Sequence, residues 1–349
     1  MNFHLFCLLS ILSLCSFALQ AQDCNKSLDD AQEAYRLGRI DQVENFLLPC
    51  LNKNGFDRED QLEAYHLLVV VYLYANEDGK ATDMMAKLLK LNPEYRIKPT
   101  DNAEFIELYK AFRTRPVLLI GAQGGGNLTF ASPIANFSLS NSETQSYVYN
   151  ALLGFQVGAS VVLPLGKRLD AVFKPEFVRY TFSYSTSLFD YQELLFTERS
   201  LWVSFPLLFR ANFRDKYNFN VLGIKPFIEV GASFDYLLQA SATAQRQDRV
   251  SENVQRSVTG ADVVLTEARN PYNFSLIGGV GAEYKQGRGS FIVSMNFSYG
   301  LLNVIDPQKR FDNQVDIFRY GYIDNDHRLS FVGLYAGYLY PIYNPKKIR

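Results

Sequence analysis

The stretch GIKPFIEVGASFDYLLQ, residues 223–239, decides the fold. Ile228, Val230, Ala232, Phe234, Tyr236 and Leu238 fall on one face of an extended chain, and Lys225, Glu229, Gly231, Ser233 and Asp235 on the other. Successive side chains of a strand point to opposite faces, so the segment separates an apolar wall from an ionisable one. Residues 289–300, GSFIVSMNFSYG, repeat the pattern, with Phe291, Val293, Met295, Phe297 and Tyr299 opposite Ser294, Asn296 and Ser298. Such strands are longer than those of soluble sheets and fit a wall between lipid and a polar lumen.

Outward from these two segments, similar strands are expected over about 117–130, 149–164, 168–184, 196–213, 223–240, 271–286, 289–303 and 327–343. The connections alternate in length. LGKR (165–168), RDKYNFNVLGIK (214–225) and KQGRG (285–289) are short, whereas 131–148, 185–195, 241–270 and 304–326 are long and polar. Outer-membrane barrels have short periplasmic turns and long external loops. The expectation is an all-β transmembrane barrel of about eight antiparallel strands over 116–343, with a periplasmic basic tail at 344–349. A β-sandwich explains the alternation but neither the strand length nor the two-sided asymmetry of the connections.

The first residues, MNFHLFCLLSILSLCSFALQAQ, are apolar and end in small residues, the pattern of a signal peptide over 1–22. A retained membrane helix and lipoprotein processing at Cys15 are the rival readings. No later run of 18 apolar residues occurs, so any later crossing of a membrane is by strands. The formal net charge is -1 and the basic residues are dispersed, which argues against nucleic acid as a partner. Phe and Tyr number 27 and 22 against one Trp and three His, a β-rich bias that leaves few metal ligands. Neither a metal nor a cofactor is expected.

Residues 23–115 change to a helical period. CNKSLDDAQEAYRLGRIDQVENFLLPC reads as two helices broken at Gly38-Arg39, which brings Cys24 beside Cys50 in an antiparallel hairpin. In an exported chain that spacing predicts a structural disulfide rather than a redox pair. The next unit, LEAYHLLVVVYLYANEDGKATDMMAKLLKLNP, resembles a tetratricopeptide repeat, with Tyr65, Leu68, Tyr72, Ala81, Met85 and Leu88 on the signature positions. His66 is expected to pack within its helix. A third helix is predicted from Asp101, with Glu104 completing a capping box. Repeats of this kind are docking scaffolds, and Tyr35, Arg36, Tyr65, Tyr72 and Lys80 are the expected exposed partner-binding residues. The rival reading is a helical cap that only packs on the strands after it.

The segment order resembles the PorT-like outer-membrane β-barrel family of Bacteroidota. The resemblance lies in LLGFQVGASVVLPLGKRLDAVFKPEFVRYTFSYS (152–185), LWVSFPLLFRANF (201–213), IKPFIEVGASFDYLL (224–238), FSLIGGVGAEYKQG (274–287) and FIVSMNFSYGLLNV (291–304), with Pro175-Glu176, Pro206 and Gly278, Gly279 and Gly281 the most suggestive residues. It implies the barrel fold and an outer-membrane location. A family member associated with type IX secretion extends that implication to secretion or envelope assembly. The chain departs from the pattern in ending YLYPIYNPKKIR and in carrying the helical module.

Lys174, Glu176, Arg210, Lys225, Glu229 and Glu283 are expected in the lumen, as a paired network that fills it. The mature chain has two histidines, His66 and His327, and no G-x-S-x-G motif. The glycine strings GAQGGGN and IGGVGAEY lack the lysine and following helix of a phosphate loop. The sequence therefore reads as a non-enzymatic scaffold, bound to outer-membrane lipid, whose periplasmic module binds a protein partner. The alternatives are a small outer-membrane enzyme or lipid-binding barrel, with Asp324, Asp326 and His327 at its external rim, and an adhesin using loop 241–270.

Overall fold

The computed structural model describes residues 24–137, 147–166, 168–188, 192–213, 223–251, 254–312 and 323–348. The expected signal peptide lies outside them, as do parts of six connections, including most of 214–225. The chain forms two units, one of residues up to Pro116 together with Tyr343–Arg349, the other Val117–Ile342.

The first unit is helical: α1 (24–36), α2 (Ile40–Asn52), α3 (Arg58–Tyr74), α4 (Asp78–Leu91) and α5 (Ala103–Lys110). Gly38, at φ 76°, makes the turn after α1 that an L side chain resists. Cys24 and Cys50 are disulfide-bonded and tie the start of α1 to the end of α2. Gly55 lets the chain pass this bond, since a Cβ there would lie 2.6 Å from Cys24 Sγ. Asp57 caps α3 by accepting from the backbone N–H groups of Glu59 and Asp60. Leu47, Leu68, Ala81, Met85, Leu88 and Phe105 are fully buried in one core.

Two local expectations are corrected. The cap of α5 is Asn102, whose Oδ1 accepts from Phe105 N at 3.0 Å. Asp101 instead accepts from Lys98 N and pairs with His66 Nε2 at 2.8 Å, so His66 is held by a partner 35 residues away. Its carboxylate serves a tertiary contact, which left the capping role to the next residue.

Residues 343–348 complete this unit. Arg113 N donates to Lys346 O at 3.0 Å and Ile348 N to Ala111 O at 2.8 Å, making a short antiparallel bridge after α5. Tyr343 Oη donates to Glu94 and Lys347 Nζ to Thr82 Oγ1.

The second unit is a closed sheet of β1 (Leu118–Ala135), β2 (Tyr147–Pro164), β3 (Leu169–Phe173), β4 (Glu176–Leu188), β5 (Gln192–Asn212), β6 (Ile224–Ser251), β7 (Val254–Thr259), β8 (Val263–Val264), β9 (Tyr272–Gln286), β10 (Gly289–Gly300) and β11 (Asp326–Ile342). β3 and β4 are one barrel strand interrupted at Lys174-Pro175, where proline has no N–H to donate. Each barrel strand pairs antiparallel with the next, and β1 pairs with β11 from Leu118↔Ile342 to Ala135↔Asp326. That last pairing closes a ring of eight strands and removes its edges. Both ends of the ring strands, Leu118 and Ile342, lie at the end that carries the short turns.

Alternation in the sequence becomes inside and outside. Ile228, Val230, Ala232, Phe234, Tyr236 and Leu238 are exposed, while Glu229, Ser233 and Asp235 are buried. Outward aromatics gather towards the two ends, Tyr284, Phe291, Tyr338 and Tyr340 at one and Tyr236, Tyr272 and Tyr299 at the other. Aliphatic residues such as Val230, Val280, Val293 and Leu334 lie between them. An exposed apolar band between aromatic girdles is the surface that a bilayer covers.

The region 241–270, expected as a loop, is mostly sheet. β6 runs on to Ser251, paired first with β5 and then with β7 and β8. Ala240, Ala242 and Ala244 alternate into an internal cluster with Phe196 and Leu265, and residues so small carry little hydrophobic signal in a sequence.

Two expectations test this fold. Met295 is exposed midway along β10, so Met295→Arg places a charge in the middle of the apolar band and costs about 2–4 kcal/mol. Urea titration of the protein folded into vesicles measures it, with Ser298→Ala as the inward-facing control. Replacing Cys24 and Cys50 by Ala opens a loop of 26 residues and lowers the stability of the helical unit by about 3 kcal/mol, read from its helical circular dichroism during thermal unfolding.

Candidate functional site

The barrel interior is filled in three layers. Towards the short turns, Val162, Val172, Leu208, Ile292 and Leu339 form an apolar plug. Towards the long connections, Tyr180, Phe182, Tyr184, Phe196, Trp202 and Phe331 pack with the alanines of β6. Polar side chains occupy the space between.

Glu229 centres the first polar group. It accepts from Lys174 Nζ at 2.5 Å and from Arg210 at 3.1 Å, and all three side chains are almost wholly buried. The Arg210 guanidinium lies 4.2 Å from the centre of the Phe227 ring. Gly281 makes room for that ring, since a Cβ would stand 2.4 Å from it. Glu176 accepts from Tyr335 Oη at 3.1 Å and faces Gln123, which in turn accepts from Ser160. Two buried cations thus share one acid, and Glu176 is held nearby by neutral donors, so each of these buried groups has a partner, as burial away from water requires. Lys225 and Glu283 stand apart from them, as a partly exposed pair 3.5 Å apart near the short-turn end.

A second group gathers round Asp235, which accepts from Ser204, Ser233, Asn273 and Ser275. Asn127 donates to Gln156 at 2.7 Å on the opposite wall. These were missed as site residues because neutral side chains raise no alarm in a sequence. Asp235, however, shares the face of Glu229 within residues 223–239, and that parity was the available signal.

A third group lies nearer the long connections. Arg269 makes paired hydrogen bonds to Glu198, at 2.9 and 2.7 Å, and to Asp324, at 3.0 and 2.9 Å. The two carboxylates hold this buried guanidinium in its charged form and raise its pKa, against the opposing effect of burial. Asp326 binds Arg310 and accepts from Asn303. His327 is buried, with Nδ1 2.8 Å from Asn325 O and its ring edge-on to Phe182. Asp324, Asp326 and His327 are therefore neighbours in sequence whose acids are both committed to arginines.

In the helical unit, Arg36 and Lys80 are exposed and Tyr35 and Tyr65 are half-buried against the core. Tyr72 departs from the expected exposure: only 3% of it is accessible. Lys80 Nζ lies 5.1 Å over its ring, and burial with the neighbouring Glu44 carboxylate pushes its hydroxyl up to about 12. Lys80 also pairs with Glu77 at 2.8 Å and Glu44 at 3.6 Å. Among the described residues no cluster of three His, Cys, Asp or Glu is arranged to hold a metal ion, and no helix is long and apolar enough to cross a membrane.

A closed antiparallel ring, apolar outside and packed with paired polar groups inside, defines the class of outer-membrane β-barrel proteins. Residues 115–306 match the model of the outer membrane protein beta-barrel domain, and the chain belongs to that family. No curated protein matches the chain. Among solved structures, OprG from Pseudomonas aeruginosa is similar at 9% identity and TM-score 0.29, over 66% of this chain and 98% of its own. Neisserial surface protein A (NspA) is similar at 13% and 0.30, over 64% and 97%. Ail, the attachment invasion locus protein of Yersinia pestis, is similar at 8% and 0.24, over 65% and 99%. Likenesses this distant bear no functional argument.

The Glu229 group generates a direct expectation. Glu229→Ala leaves Lys174 and Arg210 buried beside each other without their shared acid and destabilises the barrel by about 3–5 kcal/mol. Unfolding of the variant in detergent micelles checks the value, and Glu283→Ala, at the partly exposed pair, costs about 1 kcal/mol or less.

Proposed function

We propose that the protein is an outer-membrane anchored scaffold whose helical unit lies in the periplasm and binds a partner protein. One observation carries this reading. The described interior of the barrel is occupied by paired side chains, while the chain passes to the helical unit twice, at Pro116-Val117 and Ile342-Tyr343, both beside the short-turn end of the barrel. A wall so filled offers little room for transport, and a module tethered at two points is suited to holding a partner near the membrane. Short turns are periplasmic in barrels of this class, which supports a periplasmic position for the module.

The partner surface in this reading includes Tyr35, Arg36, Tyr65 and Lys80, with Tyr72 supporting Lys80 from beneath. Helix hairpins of the tetratricopeptide-like kind present such faces to peptides and proteins. A role in type IX secretion or envelope assembly rests on the PorT-like resemblance. The enzymatic alternative is disfavoured by the engagement of Asp324 and Asp326 with arginines, which leaves His327 without a free acid.

Orientation and docking are tested in intact cells. A cysteine at exposed Arg288, in the short β9–β10 turn, is expected to resist a membrane-impermeant maleimide, and one at exposed Arg256 to react. The reverse pattern overturns the periplasmic placement. A photo-crosslinker at Arg36 or Tyr65 is expected to capture a defined protein that the same group at Val230, on the lipid face, does not. Equal capture at both places, or none at either, removes the scaffold reading.

A further inference from the structure

The outward face of the barrel changes character along one line. On β5, Phe209, Leu207, Phe205, Val203 and Leu201 are followed by Arg199 and Thr197; on β4, exposed Phe177 is followed at the same parity by half-buried Arg179 and then by Thr181 and Ser183, polar but buried. On β6 the apolar row ends at Leu238 and continues as Gln239, Ser241 and Thr243. Three adjacent strands thus pass from apolar to polar at the same level, on the side of the long connections.

Two arginines stand on this line. Arg179 is opposite Leu201 and Arg199 opposite Thr181, so they are diagonal neighbours on the outward face, a spacing of about 7–8 Å. Arg199 is exposed and Arg179 half-buried, its guanidinium 6.0 Å from the centre of the Phe155 ring. Neither makes an ion pair among the described residues, unlike Arg210, Arg246, Arg269 and Arg310. With Phe155, Ser200, Leu201, Gln239 and Ser241 they line a cleft of about 230 Å³, and no acid is among the lining residues.

We propose that this cleft binds the phosphate of a lipid headgroup in the leaflet at the long-connection end, the outer leaflet when the short turns are periplasmic. Two unpaired cations side by side repel each other and attract one anion placed between them. Arginine presents a planar fork that suits phosphate oxygens. Gln239 and Ser241 supply neutral hydrogen-bonding groups, while Phe155 and Leu201 continue the cleft into the apolar band, where an acyl chain belongs. A free anion needs no such apolar continuation, which is why the lipid is the favoured source.

Binding in vesicles does not depend on cellular orientation, so the test separates this inference from the scaffold reading. The full protein is folded into phosphatidylcholine vesicles containing a small fraction of fluorescent bis-phosphorylated lipid A, and energy transfer from Trp202 or a site-specific dye near Ser241 reports proximity. Wild-type protein is expected to concentrate lipid A at the cleft, and Arg179→Gln with Arg199→Gln to reduce its affinity by about tenfold or more. The paired Arg→Lys variant, retaining charge, is expected to recover part of it. Heat-resistant migration in unheated gels confirms that each variant is folded. Undiminished binding by the folded double Gln variant overturns the proposal. So does complete displacement of lipid A by millimolar inorganic phosphate, which identifies a free-anion site instead.

Discussion

The structure depends on satisfying the backbone where there is no water. A strand edge in lipid leaves a row of N–H and C=O groups without partners, each costing several kcal/mol, and the pairing of β1 with β11 removes the last such row. The pairing continues over the whole of both strands, with one irregularity, between Pro133 and Ala135. It also brings residues 118 and 342 side by side, although they lie at opposite ends of the barrel sequence. The placement of the helical unit's two attachments therefore follows from closure itself.

Closure fixes what the interior must contain. Eight strands enclose a space that side chains can just fill, and half of all strand residues point into it. An interior built only from large apolar groups would make both faces of each strand alike and weaken the choice of register, because a shift of one residue then changes little. Here a one-residue slip would carry Glu229 and Asp235 into lipid and Val230 and Phe234 into the lumen. The buried charges thus act on register as well as on filling, and the sharing of Glu229 by Lys174 and Arg210 is the condition under which they can be buried.

Most of the barrel was legible because this constraint acts on every residue of a strand with period 2. The strand expected at 271–286 is found at Tyr272–Gln286, and that expected at 149–164 at Tyr147–Pro164. Extensions beyond the membrane were less legible. There the outward face need not be apolar, so QRQDRVS reads as a loop although it is paired strand. Site residues followed the same division. Lys174, Arg210 and Glu229 stood out as charges on an inward face, whereas Glu198 and Arg269 come together across 71 residues of chain, from a strand and a connection. Local pattern has no means of indicating such a meeting. Tyr72 illustrates the opposite error, since a helical period marks a buried stripe but does not say how far a neighbouring lysine covers its edge.

The helical unit carries a consequence of closure that its own sequence does not announce. Its last contacts are supplied by residues 343–348, made after every strand of the barrel. Tyr343 follows directly on Ile342, which β11 holds opposite Leu118, so the tail is delivered to Ala111 and Arg113 within a few residues of the point where the first strand begins. Loop closure is costly when the joined segments are free and small when their ends are already together. Ring closure therefore lowers the entropic cost of docking the tail onto the helical unit. Completion of the helical unit is thus favoured by completion of the barrel.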